Sequence, residues 1–157
     1  MMDQGRRDAL KKGSGIGVMS LLLAAGFLKS GDVAAADWNS AAFDTKSLAD
    51  TLKALGGSTS TESKDIIMTT PDIAENGAVV PVGITSNIPK TESIAILIEK
   101  NPNMLAAAFE IPQGTEPTLS TRVKMGQTSN VYALIKADGK FYTAVKEIKV
   151  TLGGCGG

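Results

Sequence analysis

The residues best suited to chemistry stand at the end of the chain, Gly153-Gly154-Cys155-Gly156-Gly157, and Cys155 is the only cysteine. Glycines carry no side chains to shield the thiol and impose almost no backbone preference. A single sulfur has no partner for a disulfide within its own chain, and no apolar neighbour stands beside it. Such a thiol is built to be handed to something else. The thiolate is its reactive form. At an ordinary pKa of about 8.5, only about 3% of Cys155 is thiolate at pH 7. The sequence has no histidine to raise that fraction. Lys146 and Lys149 lie upstream, but a mobile tail in water gains little from them. Activation must then come from whatever receives the thiol.

The absence of histidine reaches further. It excludes a Ser-His-Asp triad, a Cys-His pair and a His-ligated metal. One cysteine excludes structural zinc sites and iron–sulfur clusters built within this chain alone. Asp72 and Glu75 could pair as carboxylates, but nothing near them suggests acid–base work, and a solvated turn is the better reading. Met104 and Met125 are expected to fill the core, as are Trp38, Tyr132 and Tyr142. No bound cofactor and no metal are expected.

The elements that must position the tail come next. Arg6-Arg7 is followed by an uncharged stretch, residues 13–28, and then by Ala34-Ala35-Ala36. That order matches a twin-arginine export signal with an A-x-A cleavage site, so residues 1–36 are expected to be removed. The apolar stretch is shorter than the roughly 20 residues of a typical membrane span. Such a signal exports an already folded protein, with or without a bound partner, into an oxidising periplasm, where a free thiol is open to exchange. The whole chain has 16 basic and 16 acidic side chains. Losing residues 1–36 removes five basic and three acidic ones, leaving eleven against thirteen. Neither balance draws the chain to nucleic acid or to an anionic membrane.

The expected body is residues 37–152, one domain, followed by the arm, 153–157. Leu48, Leu52 and Leu55 recur at helical spacing, which predicts a helix over residues 38–55, capped by Asp44 or Thr45 and stopped by Gly56-Gly57. Residues 58–63 are predicted as a polar linker. Seven strands are predicted beyond it. They are Ile66–Met68, Val79–Ile84, Ser93–Glu99, Leu105–Ile111, Leu119–Met125, Asn130–Lys136 and Lys140–Leu152. Pro81 lacks a ladder donor and predicts an edge strand or a bulge. Ile94 to Ile98 is continuously apolar and predicts the most buried strand. Asp138-Gly139 is a two-residue hairpin signal. The whole predicts a mostly β fold, an immunoglobulin-like antiparallel β-sandwich with a short N-terminal helix and a flexible C-terminal arm.

Three groups of residues resemble the SoxY family, the sulfur carriers of bacterial thiosulfate oxidation. The first is the twin-arginine signal. The second comprises two segments, Pro71-Asp72-Ile73-Ala74-Glu75-Asn76-Gly77-Ala78-Val79-Val80-Pro81-Val82 and Lys124-Met125-Gly126-Gln127-Thr128-Ser129-Asn130. The third is the terminal G-G-C-G-G, with Gly153, Gly154, Gly156 and Gly157 around the cysteine. The resemblance implies an immunoglobulin-like fold and a heterodimer with SoxZ, which would travel out bound to this chain. It implies that Cys155 holds the sulfur intermediates covalently, as an S-thiosulfonate and then persulfide-type species. It implies transient visits to a haem c-type conjugating enzyme, to a manganese-dependent hydrolase that releases sulfate and, in some organisms, to a molybdenum sulfane dehydrogenase. The chain itself would be a carrier and not an enzyme.

Other functions leave different marks. A carrier activated as a terminal thiocarboxylate would use Gly156-Gly157, but needs ATP-dependent adenylation in the cytoplasm and leaves Cys155 without a role. A scaffold would keep its function after loss of residues 153–157. A thiol enzyme needs an internal base for Cys155, and the sequence offers none of the usual kind.

Overall fold

The computed structural model describes residues 39–151. The expected leader over residues 1–36, Trp38, Leu152 and the expected arm with Cys155 therefore lie outside the described residues. Two short helices, α1 (Ser40–Phe43) and α2 (Leu48–Ala54), precede nine strands. These are β1 (Ser60–Glu62), β2 (Ile66–Thr69), β3 (Ile73–Ala74), β4 (Val80–Ser86), β5 (Thr91–Ile98), β6 (Leu105–Glu110), β7 (Thr118–Val123), β8 (Ser129–Ala137) and β9 (Lys140–Val150). A six-stranded sheet runs β1-β9-β8-β5-β6, with β3 also on β9, and a three-stranded sheet runs β2-β4-β7. The fold is mostly β and sandwich-like, with short helices at the start of the described residues.

The larger sheet is buried on both faces. Ile94, Ile96 and Ile98 of β5 and Val131, Ala133 and Ile135 of β8 pack toward the small sheet, against Val80, Val82 and Ile84. The residues between them, Ala95, Leu97 and Leu134, face the helices, where Ala42 and Leu52 cover them. Successive strand residues point to opposite faces, so a strand covered on both sides must be apolar throughout. That is why residues 94–98 form a continuous apolar run, and they are all buried. Met125 and Met104 are buried in different clusters, and Tyr142 and Tyr132 pack against the same two.

Four expectations are corrected. The single helix over residues 38–55 breaks in two, and the cap of the second part is Ser47, whose hydroxyl accepts from Asp50 N–H. Asp44 and Thr45 form the break. Thr45 spends its hydroxyl on the Ala42 carbonyl and on Thr51, and its carbonyl accepts from Met104 N–H. The terminator is as expected: Gly56 has φ of 85°, and Gly57 lies so close to the Phe141 ring that a Cβ would meet it at 2.6 Å. The supposed linker over residues 58–63 contains β1, and the loop before Val80 contains β3, so there are nine strands among the described residues instead of seven. Both added strands pair parallel with β9, so the sandwich is not wholly antiparallel. Lastly, β4 is central in its sheet. Pro81 is tolerated because pairing with β2 ends at Thr69–Gly83, leaving only Arg122 of β7 opposite Pro81.

The hairpin at Asp138-Gly139 is as predicted, with φ of 50° and 72° at the two turn residues. From that turn β9 runs ten residue steps to Val150, about 33 Å at the usual strand rise. The strand thus carries the chain from one end of the sheet to the other and ends one residue before the last described one.

Candidate functional site

The residues that would hold the expected arm are the last described ones, Ile148-Lys149-Val150-Thr151. Their alternation works as the sequence predicts. Ile148 is fully buried and Val150 packs against the core between the sheets, while Lys149 and Thr151 are exposed. Ser129 of β8 is the neighbour of Ile148, so β8 supports β9 no further than this. Something else must hold Val150 and Thr151.

That support comes from the two segments singled out in the sequence. β3 pairs with β9 at Ile73–Lys149 and Ala74–Val150. Lys149 N–H donates to the Asp72 carbonyl at 3.0 Å and Thr151 N–H to the Ala74 carbonyl at 3.1 Å. The Thr151 hydroxyl donates to the Glu75 carbonyl at 3.1 Å. From the second segment, the Thr128 hydroxyl accepts from Val150 N–H at 3.0 Å. The two segments are also bonded to each other, through Met125 N–H and the Gly77 carbonyl at 2.7 Å. The root of the arm is therefore gripped by residues 72–75 and by Thr128, across a joint made by Gly77 and Met125.

Local sequence explains why these pieces hold their shape. Asn76 closes its own turn, its side-chain oxygen accepting from Ala78 N–H and its carbonyl from Val79 N–H, a common use of asparagine. Asn101, in the turn after β5, spans the second segment. Its amide donates to the Lys124 carbonyl at 2.7 Å and accepts from Gly126 N–H at 3.2 Å. Ser129 is buried, and its hydroxyl accepts from Lys100 N–H and donates to the Asn130 carbonyl. The Ser129 and Asn101 side chains are thus matched, as a rigid support requires, while the buried Thr70 Oγ1, just before the first segment, has no hydrogen-bond partner among the described residues. No local sequence signal marks this role of Asn101, which follows from the side-by-side placement of the two loops.

The chemistry on offer at the root is slight. Lys146 is committed to the Thr70 carbonyl at 3.0 Å and to Asp72 at 2.9 Å. Asp72 and Glu75 are both exposed, so the solvated-turn reading stands, with Asp72 in an ion pair. Among the described residues there is no group of three or more acidic, histidine or cysteine side chains placed to hold a metal. Nor is any helix among them long and apolar enough to cross a membrane. Cys155, Gly153, Gly154, Gly156 and Gly157 lie outside the described residues, so what the structure places is the anchor from which they start.

Comparison with known proteins bears on what the anchor carries. A family profile described as sulfur oxidation protein SoxY matches residues 52–155, so the match takes in both gripping segments and ends on Cys155. The structure of the sulfur carrier protein SoxY from Chlorobium limicola f. thiosulfatophilum is similar at 36% identity and a TM-score of 0.58, covering 66% of this chain and 96% of that one. A superoxide reductase (neelaredoxin) from Ignicoccus hospitalis is similar at 18% identity and a TM-score of 0.45, over 54% of this chain and 79% of its own. A search of curated proteins finds no match. The chain belongs to the SoxY family of sulfur oxidation proteins, whose members are sulfur carriers and not enzymes.

Proposed function

We propose that this chain is an exported, immunoglobulin-like carrier of thiosulfate oxidation, in which Cys155 holds the sulfur covalently and the glycine arm presents it. The observation that carries the reading is the anchor. The strand leading to the lone cysteine is held to its last described residue by the two segments that resemble the family. The family match ending on Cys155 supports it, and so does the lack of an internal base in the sequence.

The arm works by reach. From Thr151, the last gripped residue, to Cys155 is four residues, at most about 14 Å when extended. Glycine on both sides of the thiol lets the backbone enter a channel that would exclude a side chain. The haem c-type enzyme would join thiosulfate to the thiol, the sulfur–sulfur bond forming with loss of the thiol proton and two electrons to the haems. Water, at the manganese-dependent hydrolase, would then release sulfate and leave a persulfide. Where a molybdenum sulfane dehydrogenase exists it would act on the remaining sulfur. SoxZ would be the standing partner. The twin-arginine leader, cleaved after residue 36, would place the complex in the periplasm.

Replacing Cys155 by serine tests this. Thiosulfate-dependent turnover by the reconstituted partner enzymes is expected to fall to background while the unfolding temperature stays the same. Intact mass of the protein taken from its own periplasm is expected to show adducts that reductant removes. Full turnover in the serine variant would overturn the reading.

A further inference from the structure

The chain has six asparagines, and only Asn76 is followed by glycine. An asparagine side-chain carbon lies within reach of the next residue's backbone nitrogen, whose attack closes a five-membered ring. Glycine in that next place leaves the approach open, having no Cβ. The other asparagines are protected. Asn101 precedes Pro102, which has no N–H, and both ends of its amide are held by Lys124 and Gly126. Asn39 is held at both ends by Ala54 and Ala42. Asn130 precedes branched Val131 within β8 and donates to Glu99. Asn87 and Asn103 precede the bulky Ile88 and Met104.

The turn at Asn76 presents the reacting atoms. Asn76 is exposed, and its Oδ1 accepts from Ala78 N–H at 2.9 Å. That bond folds the amide forward along the chain and draws electrons from the side-chain carbon toward the oxygen. No described residue holds Nδ2, so the leaving nitrogen is open to water. The Asn76 carbonyl accepts from Val79 N–H at 3.4 Å, inside the turn. In a trans peptide the C=O and N–H point opposite ways. The Gly77 N–H therefore faces away from the turn, and no described residue accepts from it. Asp138-Gly139 could close the same ring, but there Gly139 N–H donates to the Glu92 carboxylate and Lys90 holds Asp138.

We propose that Asn76 is a site of spontaneous modification, where deamidation through a cyclic imide loosens the grip on the arm root. The Gly77 nitrogen gives its proton to hydroxide and bonds to the Asn76 side-chain carbon. The bond from that carbon to Nδ2 breaks, and the nitrogen leaves as ammonia. Water then opens the imide at either carbonyl. One opening yields aspartate on the ordinary backbone, which keeps an oxygen for Ala78 N–H. The other yields isoaspartate, whose main chain runs through the former side chain and gains one carbon before Gly77. Glu75 holds the Thr151 hydroxyl at 3.1 Å and Gly77 holds Met125 N–H at 2.7 Å, with residue 76 between them. An added backbone carbon there moves one anchor relative to the other. The modification stands without the carrier reading; only its effect on the presentation of Cys155 rests on that reading.

The test holds the mature chain with its partner subunit at growth temperature, in mildly acidic and in mildly alkaline buffer, with samples taken over days. Peptide mapping of residues 65–90 reads deamidation, and fragment ions separate Asn76 from Asn87. An isoaspartyl methyltransferase with its methyl donor counts the isoaspartate. Conversion is expected at Asn76 alone, faster by about tenfold for each pH unit, as the deprotonated fraction of a weakly acidic N–H grows. Asn76→Ser keeps an oxygen for the turn and is expected to form no isoaspartate there. Freshly prepared Asn76→Asp carries the product's charge on an ordinary backbone. Against it, the isoaspartyl form is expected to exchange the Met125 and Thr151 amides about tenfold faster. An Asn76 that stays intact while the same peptide, cut free, converts would overturn the proposal. So would equal conversion at Asn87 or Asp138. Equal amide exchange in the isoaspartyl form and in Asn76→Asp would overturn the loosening. Each of these results leaves the carrier reading standing, since turnover in Cys155→Ser decides that separately.

Discussion

The β8–β9 hairpin is finished in two different ways at its two ends. At the turn, Asp138-Gly139 closes the chain and surface charges gather around it. Lys90 meets Asp138 at 3.0 Å and Lys136 meets Glu92 at 3.2 Å, with all four side chains at least a third exposed. At the arm end there is no turn, and the strand is held by backbone and hydroxyl hydrogen bonds over the fully buried Met125 and Ile148. Exposed ion pairs contribute little, because water and salt screen them. Backbone ladders over a packed core resist fraying far better. The stronger fastening stands at the last described residues, and on the carrier reading fraying there would lengthen the arm by roughly 3.3–3.6 Å for each residue released. On that reading the grip on Val150 and Thr151 would set the reach of Cys155.

The turn end also has a cleft of about 740 Å³, lined by Ile88, Lys90, Glu92, Ile111, Pro112 and Asp138 among others. It lies about a strand's length from the root, some 33 Å. The four residues from Thr151 to Cys155 extend at most about 14 Å, so the chain's own thiol does not reach it.

The largest effect is expected from the core under the arm end. Met125 is fully buried in the cluster between the sheets and its N–H joins the two gripping segments. Met125→Ala leaves a cavity and is expected to cost about 2–5 kcal/mol, measured by denaturant unfolding. Lys90→Ala at the turn end should change stability by no more than about 0.5 kcal/mol. A loss at Lys90 as large as that at Met125 would reverse the comparison.

A smaller and more local effect is expected at Thr128. Thr128→Val keeps the shape and removes the acceptor for Val150 N–H, at a cost of about 1 kcal/mol. The loss should appear as faster amide exchange at Val150 and Thr151, with β8 and β5 unchanged. Uniform loss of protection across the sheet would mean that Thr128 serves the whole domain and not the root.

How far the sequence announces this arrangement depends on the range of each interaction. β5 is legible because a strand buried on both faces must be apolar at residues 94–98, and the hairpin because Asp138-Gly139 suits left-handed backbone. The clean in–out alternation of Ile148, Val150 and their neighbours is legible for the same local reason. β1 and β3 are not. Ser60–Glu62 and Ile73–Ala74 are too short for a period, and their pairing with β9 spans some eighty residues of chain. Asp44 and Thr45 look like caps because either side chain can cap; the choice of Ser47 follows from a contact between Thr45 and Met104 that no local pattern records. The site divides along the same line. The thiol and its glycines are plain in the sequence. The two gripping segments stand out by resemblance, but that they meet at Gly77 and Met125 is a fact of tertiary structure.

The smallest effect belongs to Glu92, and pH isolates it. Gly139 N–H donates to its carboxylate at 3.1 Å and Lys136 lies beside it, so its pKa is held below the ordinary glutamate value, chiefly by the Gly139 bond. The fold therefore favours the ionised form. That contribution is fully present above the ordinary value, about 4.3, and is lost as pH falls through the lowered value in the folded chain. Glu92→Gln keeps an acceptor for Gly139 and removes only the charge. Its unfolding temperature should lie slightly below wild type at pH 7, and the gap should close as the solution is taken well below pH 4, within the range where carboxylates protonate. Added salt should narrow the gap at pH 7 through the Lys136 pair. A gap that survives deep acidification would show that Glu92 acts by shape and not by charge, and the contrast between a charged turn and a hydrogen-bonded root would lose its electrostatic half.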